Sequence, residues 1–132
     1  MARIVIVMVL GALVATAAFG EDPEPAKAVS ISVAELNARR ESGTAPVVID
    51  VRTAGEYASG HIPGAINIPF DQVAQRVAEI ETTQGAALYC MFGPRAEKGE
   101  SALLAVGYEK VFHIEGGLAA WKAAGLPVED AQ

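Results

Sequence analysis

The sequence predicts an α/β fold in which a central parallel β-sheet carries helices on both faces. Short apolar segments alternate with segments of helical composition from about residue 30 to residue 128. Residues 46–51 (PVVIDV) form a continuous run rich in β-branched side chains, which is typical of a strand buried on both faces of a parallel sheet. In folds of this class the functional site lies at the carboxyl ends of the strands.

The first twenty residues predict a signal peptide. They contain one charge, Arg3, then an apolar stretch over residues 4–14 and a tail of small residues. Residues 18–20 (AFG) fit a cleavage site before Glu21, and residues 15–17 are a second candidate. An uncleaved anchor is the alternative, since the apolar length is near the lower limit of the roughly 17–25 residues that span a bilayer. Both interpretations predict an exported domain, periplasmic or secreted.

Composition restricts the classes of partner. Residues 21–29 are polar with two prolines and predict a flexible linker, so that residues 30–128 form the one folded domain. Sixteen Asp and Glu against ten Lys and Arg give a net charge of −6, without a basic cluster. We therefore expect no nucleic-acid partner, and no stable membrane contact after signal cleavage.

The residues that could bind a metal are few. One cysteine, Cys90, and two histidines, His61 and His113, show no ligand spacing, so we expect neither a metal nor a cofactor. A single cysteine also excludes an internal disulfide. A lone thiol in an exported protein is a liability unless it is used, which directs attention to Cys90.

The first half of the domain reads as helix, strand, helix and strand. Ser32 and Glu35 form a capping-box pattern that predicts a helix to about Glu41, ended by Ser42 and Gly43. The strand at 46–51 follows, and then a short helix over 54–59. The turn at 60–65 (GHIPGA) leads into a strand over 65–68 that Pro69 stops.

The second half continues the alternation. Residues 71–80 predict an amphipathic helix, because Val73, Val77 and Ile80 share one face. A buried strand ends at Cys90, and a helix runs from Arg95 to about residue 106. A strand over 110–114 and a helix over 118–124 complete the domain.

The stretch around Cys90 has the composition of a reactive site. An apolar strand, a tight loop with Gly93 and Pro94, and a helix starting at Arg95 follow one another. Backbone N–H groups without partners and the helix dipole stabilise an anion there, which favours the reactive thiolate. The alternative is an inert buried cysteine, which the strand–loop–helix context disfavours.

The loop C-M-F-G-P-R at residues 90–95 resembles that of the rhodanese (sulfurtransferase) family, C-x-x-G-x-[R/S/T]. Phosphatases and arsenate reductases of the same fold use C-x5-R, one residue longer, which suits a tetrahedral oxyanion. D-V-R at 50–52, G-H-I-P-G-A at 60–65 and E-G-G-x-x-x-W at 115–121 are further marks of the family. The resemblance covers nearly all of the mature chain and implies a five-stranded sheet in the single-domain form.

The resemblance implies two-step sulfur transfer. Catalytic Cys90 takes a sulfane sulfur from a donor such as thiosulfate, and a thiol or cyanide acceptor removes it. The backbone N–H groups of residues 91–93 and of Arg95 onward are expected to bind the persulfide, since Pro94 has no N–H. Ala96 stands where many members have Ser, so a hydroxyl contact is missing. The substrate-binding residues implied are Met91, Phe92, Gly93, Arg95 and Ala96.

Three further residues are assigned structural support. The resemblance implies that Asp50 and Arg52 form a network near the active loop, the alternative being a weak exposed pair. His61 is interpreted as a scaffold residue, with a general-base role as the minority view.

Two other functions stay open. One is a persulfide carrier or redox module that binds a protein thiol partner through the apolar rim of Met91 and Phe92 and turns over little. The other is an oxyanion enzyme of the C-x5-R type, which the loop length disfavours.

Overall fold

A computed structural model describes residues 26–131 and shows five parallel strands in one sheet, in the order β1-β5-β4-β2-β3. The predicted α/β class, the parallel sheet and its five strands are confirmed. The strands are β1 Val29–Ile31, β2 Val47–Asp50, β3 Ile66–Asn67, β4 Ala86–Tyr89 and β5 Val111–Ile114.

In the part of the chain that the structure describes, four α-helices pack around the sheet, with helices on both of its faces. They are α1 Val33–Ser42, α2 Ala54–Ser59, α3 Pro94–Ala105 and α4 Gly117–Ala123. Leu36 of α1 and Trp121 of α4 belong to the apolar layer on one face, and Ala96 and Leu103 of α3 belong to the layer on the other. The sheet is therefore enclosed between two apolar layers, as its β-branched strands predict.

The central strand β4 supplies both layers. Ala87 and Tyr89 point into the layer shared with α1 and α4, whereas Leu88 and Cys90 point into the layer shared with α3. Alternation of side chains along a strand produces this division. It places the cysteine on the α3 side at the carboxyl end of the sheet.

Helix capping agrees in part with the sequence. The Ser32 hydroxyl accepts the N–H of Glu35 at 3.0 Å, and Gly43 ends α1 in the left-handed conformation. The Glu35 carboxylate pairs with Arg39 rather than closing the capping box. A complete capping box forms instead at Thr53 and Glu56, at the start of α2.

The prediction of a helix over 71–80 is wrong. The segment contains two short 3₁₀-helices, Phe70–Gln72 and Val77–Glu79, held by bonds such as Glu79 N–H to Arg76 O at 3.0 Å. Neither has a side-chain cap, and β-branched valines weaken a longer helix. Val73 and Ile80 are nevertheless buried, so the apolar face is as predicted.

The N-terminal predictions fall mostly outside the described residues. This applies to the signal peptide at 1–20 and to most of the linker at 21–29, while β1 begins at Val29. The domain limits of 30 and 128 stay a prediction. Within residues 26–131, no helix has the length and hydropathy needed to cross a bilayer.

Candidate active site

Cys90 directly follows β4 and lies beneath the start of α3. Its side chain is buried, and its sulfur accepts the N–H of Gly93 at 3.1 Å. Helix α3 has Pro94 in its first turn, where a missing N–H costs nothing. The sequence predicts that the N–H groups of residues 91–93 and of Arg95 onward converge on this sulfur. Among the described residues, the Gly93 N–H is the one that forms a hydrogen bond to it. The arrangement favours an anionic sulfur at a helix amino terminus.

The start of α4 holds the other side of the loop. Leu118 N–H donates to the carbonyl of Cys90 at 2.9 Å, and Ala119 N–H donates to that of Met91 at 3.0 Å. A Cβ at Gly117 would collide with the Cys90 carbonyl oxygen and lie 2.8 Å from that of Met91. The backbones approach closely only because residue 117 is glycine. Sequence reasoning missed this role, although the Gly-Gly pair after a strand was its signal.

Arg95 forms a two-pronged ion pair with Glu56. Its Nη1 lies 2.7 Å from Oε1 and its Nη2 lies 3.1 Å from Oε2, and both side chains are about one-third exposed. The hydrogen bonds from Arg95 are the main cause that lowers the pKa of Glu56 to about 2. The complete capping box at Thr53 places this carboxylate, so the positive charge of Arg95 is compensated in the free protein.

The remaining loop residues differ in exposure. Phe92 is 71% exposed, whereas Met91 is partly buried and packs against the apolar layer of α1 and α4. Ala96 is fully buried in the same layer as Cys90. Phe92 is therefore the apolar side chain that the loop presents to solvent.

Asp50 and Arg52 form a buried network, not an exposed pair. Arg52 Nη2 and Nε bond both oxygens of Asp50, the shortest distance being 2.7 Å, and Nη2 also donates to Gly60 O at 2.7 Å. Tyr89 O–H donates to Asp50 at 2.9 Å and accepts the N–H of Ile62 at 3.0 Å. The network joins the ends of β2 and β4 to the turn at 60–65.

Tyr89 was not singled out from the sequence. Burial is the main cause that raises the pKa of its phenol above the ordinary range, so the phenol stays protonated and can donate to Asp50. Its aromatic ring belongs to a fully apolar strand, and the only signal in the sequence was its polar tip among apolar neighbours.

His61 is held between α2 and the C-terminal segment. Its ring stacks on Tyr57 with centroids 3.7 Å apart, and its Nδ1 lies 2.7 Å from Tyr57 O. Its backbone exchanges hydrogen bonds with Glu129, and its Nε2 lies 3.7 Å from that carboxylate. These contacts fix the turn at 60–65 against α2 and the C-terminal segment, and the scaffold role of His61 stays a prediction.

A second histidine, His113 on β5, lies behind the loop. Its Nδ1 is 2.7 Å and 3.0 Å from the two carboxylate oxygens of Glu100, a buried residue of α3. Burial is the main cause that raises the pKa of Glu100. The His113 ring lies 3.7 Å from where a Cβ of Gly93 would be. Sequence reasoning missed this pair, because a glutamate inside a helix reads as solvent-facing. Between residues 26 and 131 no cluster of acidic, His and Cys side chains is suited to a metal ion.

Comparison with known proteins agrees with this geometry. The rhodanese-like domain family matches residues 32–124. A sulfurtransferase of Allochromatium vinosum is 34% identical over 82 residues, which are 62% of this chain and 77% of that protein. The HTH-type transcriptional regulator Rv0324 of Mycobacterium tuberculosis is 40% identical over 103 residues, which are 76% of this chain. This chain covers only 45% of the regulator's length.

The solved structures lead to the same family. The crystal structure of a rhodanese-related protein from Thermoplasma volcanium superposes with a TM-score of 0.67 at 29% identity, covering 76% of this chain and 97% of that one. With a Cys90 loop at the carboxyl end of a five-stranded parallel sheet and a family match over most of its length, the chain belongs to the rhodanese-like domain family.

Proposed function

We propose that the protein is a sulfurtransferase that moves a sulfane sulfur from thiosulfate to a nucleophilic acceptor through a persulfide on Cys90. The observation that carries the proposal is the position of the Cys90 sulfur, beneath the amino end of α3 and bonded to Gly93 N–H. An anion is stabilised there both before and after a sulfur atom is added. The sulfurtransferase name of a relative supports the same class of reaction.

In the first step the Cys90 thiolate attacks the outer sulfur of thiosulfate. The new sulfur–sulfur bond forms as the bond to the sulfonate breaks, and sulfite leaves with the bonding pair. Charge is conserved, since a thiolate and a dianion become a persulfide anion and sulfite. Persulfidation of a cysteine is a reversible modification, as a carrier of sulfur requires.

In the second step an acceptor attacks the outer sulfur of the persulfide. Cyanide leaves as thiocyanate, and a thiol leaves as its own persulfide, with Cys90 regenerated as the thiolate. The leaving group is a thiolate that the Gly93 N–H already binds, so the group that stabilises the nucleophile also stabilises the leaving group.

Steady-state production of thiocyanate from thiosulfate and cyanide tests the proposal. We expect multiple turnovers for the wild type and none for Cys90→Ser, with unchanged circular dichroism. Turnover by a folded serine variant would contradict the mechanism.

A persulfide carrier is the second candidate, and the 71% exposure of Phe92 favours it. An exposed aromatic side chain on a reactive loop suits docking to a partner protein. A carrier would take up one sulfur per chain and release it slowly to cyanide, but rapidly to a protein thiol partner. Single-turnover release rates to both acceptors distinguish the two functions.

We also propose that the protein works outside the cytoplasm, periplasmic or secreted. The support is the composition of residues 1–20. Cell fractionation with sequencing of the mature N-terminus is the test, and we expect a start near Glu21. A soluble cytoplasmic form that begins at Met1 would contradict export, and a membrane-bound form would indicate the uncleaved anchor.

A further inference from the structure

A histidine behind the active loop is held by a buried acid that neither step of sulfur transfer uses. The carboxylate oxygens of Glu100 lie 3.0 Å and 2.7 Å from His113 Nδ1. The side chain of Glu100 is 6% exposed and that of His113 is 19% exposed, so the acid is buried while the imidazole reaches solvent. An ionised carboxylate only accepts hydrogen bonds, so Nδ1 carries the proton and the orientation of the ring is fixed. A buried acid with one specific partner, beside a reactive loop, is a candidate functional group.

The other edge of the imidazole faces the active loop. The Cε1 and Nε2 atoms of His113 lie 3.7 Å and 3.8 Å from the point that a Cβ on Gly93 would occupy. Gly93 is the residue whose N–H donates to the Cys90 sulfur at 3.1 Å. Glu100 therefore holds one edge of the ring, and the residue that binds the sulfur lies against the other.

The pairing of β5 with β4 explains why the imidazole and the cysteine meet the same loop. His113 pairs with Leu88 in parallel register, so both side chains point to the same face of the sheet. Leu88 and Cys90 both belong to the apolar layer on the α3 side. His113 and Cys90 are thus on one face of neighbouring strands, beneath the start of α3.

The groups that carry or can gain charge around His113 are mostly acidic or already compensated. They are Glu97, Glu100 and Arg95 on α3, Cys90 after β4 and Glu115 after β5. Arg95 is paired with Glu56, and Lys98 of α3 lies over the ring of Phe70. The sheet partners of His113 do not ionise near neutral pH; they are Leu88 and Ser30. A protonated imidazole therefore adds positive charge to this side of the loop.

We propose that His113 is a positioning residue for sulfur transfer, held by Glu100 so that its protonated ring supports the Gly93 N–H that binds the anionic Cys90 sulfur. The inference rests on the proposed sulfur transfer, to which His113 contributes through Gly93. In a ring fixed through Nδ1, the proton that is gained from solvent resides on Nε2, at the edge that faces Gly93. The positive charge then appears on the loop side, where it favours an anion.

The rate at which thiosulfate loads sulfur onto Cys90, measured at two pH values, tests this role. An imidazole changes charge between about pH 5 and pH 8. For His113→Asn we expect loading about threefold to tenfold slower than wild type at about pH 5.5, the effect of one charge near a partly exposed site. At about pH 8.5 we expect a difference of less than about twofold. A merely structural role would slow loading by the same factor at both pH values, and that result would overturn the inference.

Two substitutions of Glu100 test its orienting role. In Glu100→Gln the amide oxygen still accepts the Nδ1–H of His113, whereas Glu100→Leu has no acceptor at the same buried position. At about pH 5.5 we expect Glu100→Gln to load sulfur within about twofold of wild type, and Glu100→Leu to resemble His113→Asn. Glu109→Gln, at an exposed position before β5, is the matched control and should equal wild type. Equal rates for the Gln and Leu variants of Glu100 would overturn the orienting role.

A double variant with His113→Asn and Glu100→Gln separates the role of the imidazole from a loss of folding. It leaves no buried charge without a partner, and circular dichroism at both pH values checks its fold. We expect the same deficit as for His113→Asn, confined to the lower pH. Wild-type loading by the folded double variant at about pH 5.5 would overturn the inference.

The closing measurement needs no sulfur transfer. The amide signal of Gly93 is followed by NMR between about pH 5 and pH 8 in protein that has not been treated with thiosulfate. We expect a titration step in the wild type that is lost in His113→Asn, and the same steps in both proteins would overturn the inference. If no protein took up sulfur, the proposed function would fail, and this titration would still decide whether His113 acts on Gly93. Sulfur loading with no titration step from His113 would overturn the inference alone.

Discussion

Gly117 and Cys90 are in backbone contact: the absence of a Cβ at Gly117 allows the start of α4 to reach the Cys90 carbonyl. The next residue, Leu118, donates its N–H to that carbonyl at 2.9 Å. The loop is thus fixed from two directions, because α3 begins within it and α4 bonds its carbonyls. The E-G-G-x-x-x-W motif therefore has a role at the site as well as in the core, where Trp121 is fully buried.

This contact predicts a specific effect of Gly117→Ala. The added Cβ must displace the carbonyls of Cys90 and Met91, and a displacement of about 1 Å at a reacting group can cost about 100-fold in rate. We expect sulfur transfer to fall by about 10-fold to 100-fold. Gly125→Ala is the matched control, because Gly125 also has a positive φ, 73°, but open space around its Cβ position. Equal rates for the two variants would show that the loop does not depend on this contact.

The Glu56–Arg95 pair predicts how charge controls the thiol. Glu56→Gln leaves Arg95 without its counter-charge, so more positive potential reaches Cys90. We expect the rate at which thiosulfate, an anion, loads sulfur onto Cys90 to rise, and more so at low salt, where charge attraction is least screened. Glu35→Gln, which breaks an exposed pair with Arg39 on α1, is the control. An unchanged loading rate in the Glu56 variant would contradict a role for the Arg95 charge at the site.

The reciprocal variant, Arg95→Ala, acts on Glu56. Without its main partner, the pKa of Glu56 should rise from about 2 towards its ordinary value of 4.5. A depressed carboxyl pKa contributes stability above pH 4.5 that is lost as the pH falls through the folded pKa. We therefore expect the stability difference between wild type and variant to be present at neutral pH and to vanish towards pH 2. An NMR titration of the Glu56 carboxyl carbon measures the shift directly, and a midpoint still near 2 would contradict the pairing.

Tyr89→Phe tests the buried network. The hydroxyl accepts the N–H of Ile62 and donates to Asp50, and its removal leaves the buried Ile62 N–H unsatisfied. A lost buried partner of this kind costs about 1–3 kcal/mol. Tyr108→Phe is the control, because the Tyr108 hydroxyl bonds no other residue within the range 26–131, and we expect a change of less than about 0.5 kcal/mol. Urea unfolding measures both, and equal stabilities would contradict the network.

Glu100→Gln tests the buried pair behind the loop. Burial raises the pKa of Glu100 in the folded state. Such a carboxyl group contributes stability below its unfolded pKa, and this stability is lost as the pH rises through the folded pKa. Gln cannot ionise but still accepts the His113 hydrogen bond. We therefore expect the free energy of unfolding of the variant, relative to wild type, to increase as the pH rises above 4.5, the ordinary pKa of this carboxyl. Glu109→Gln makes the same change at an exposed position and serves as the control. A decrease in the relative free energy of unfolding of Glu100→Gln over this range would contradict the burial argument.

Much of the fold could be predicted because local signals agreed with the tertiary structure. The β-branched run at 46–51 and the apolar strand before Cys90 are both strands buried on two faces. The sequence could not show that residues 71–80 form two 3₁₀-helices and not one α-helix. Apolar residues that lie three or four positions apart fit successive 3₁₀ turns as well as one α-helix. Periodicity reports which face is buried, not the hydrogen-bond pattern beneath it.

The site could be predicted only where its residues are neighbours in sequence. The Cys90–Arg95 loop could be predicted from its local sequence. Glu56, however, is 39 positions from Arg95, and Tyr89 is 39 positions from Asp50. These pairs depend on the strand order, which places β2 beside β4. No local sequence pattern encodes that order. The same holds for Glu100 and His113, which meet because α3 packs over β5.

The central claim is that Cys90 carries the transferred sulfur, and intact-mass spectrometry of the protein after treatment with thiosulfate tests it most directly. We predict a gain of about 32 Da, the mass of one sulfur atom, which cyanide removes as a persulfide requires. Cys90→Ser should gain nothing while remaining folded. A wild-type mass unchanged by thiosulfate and by other sulfane donors, or the same gain in the serine variant, would contradict a Cys90 persulfide.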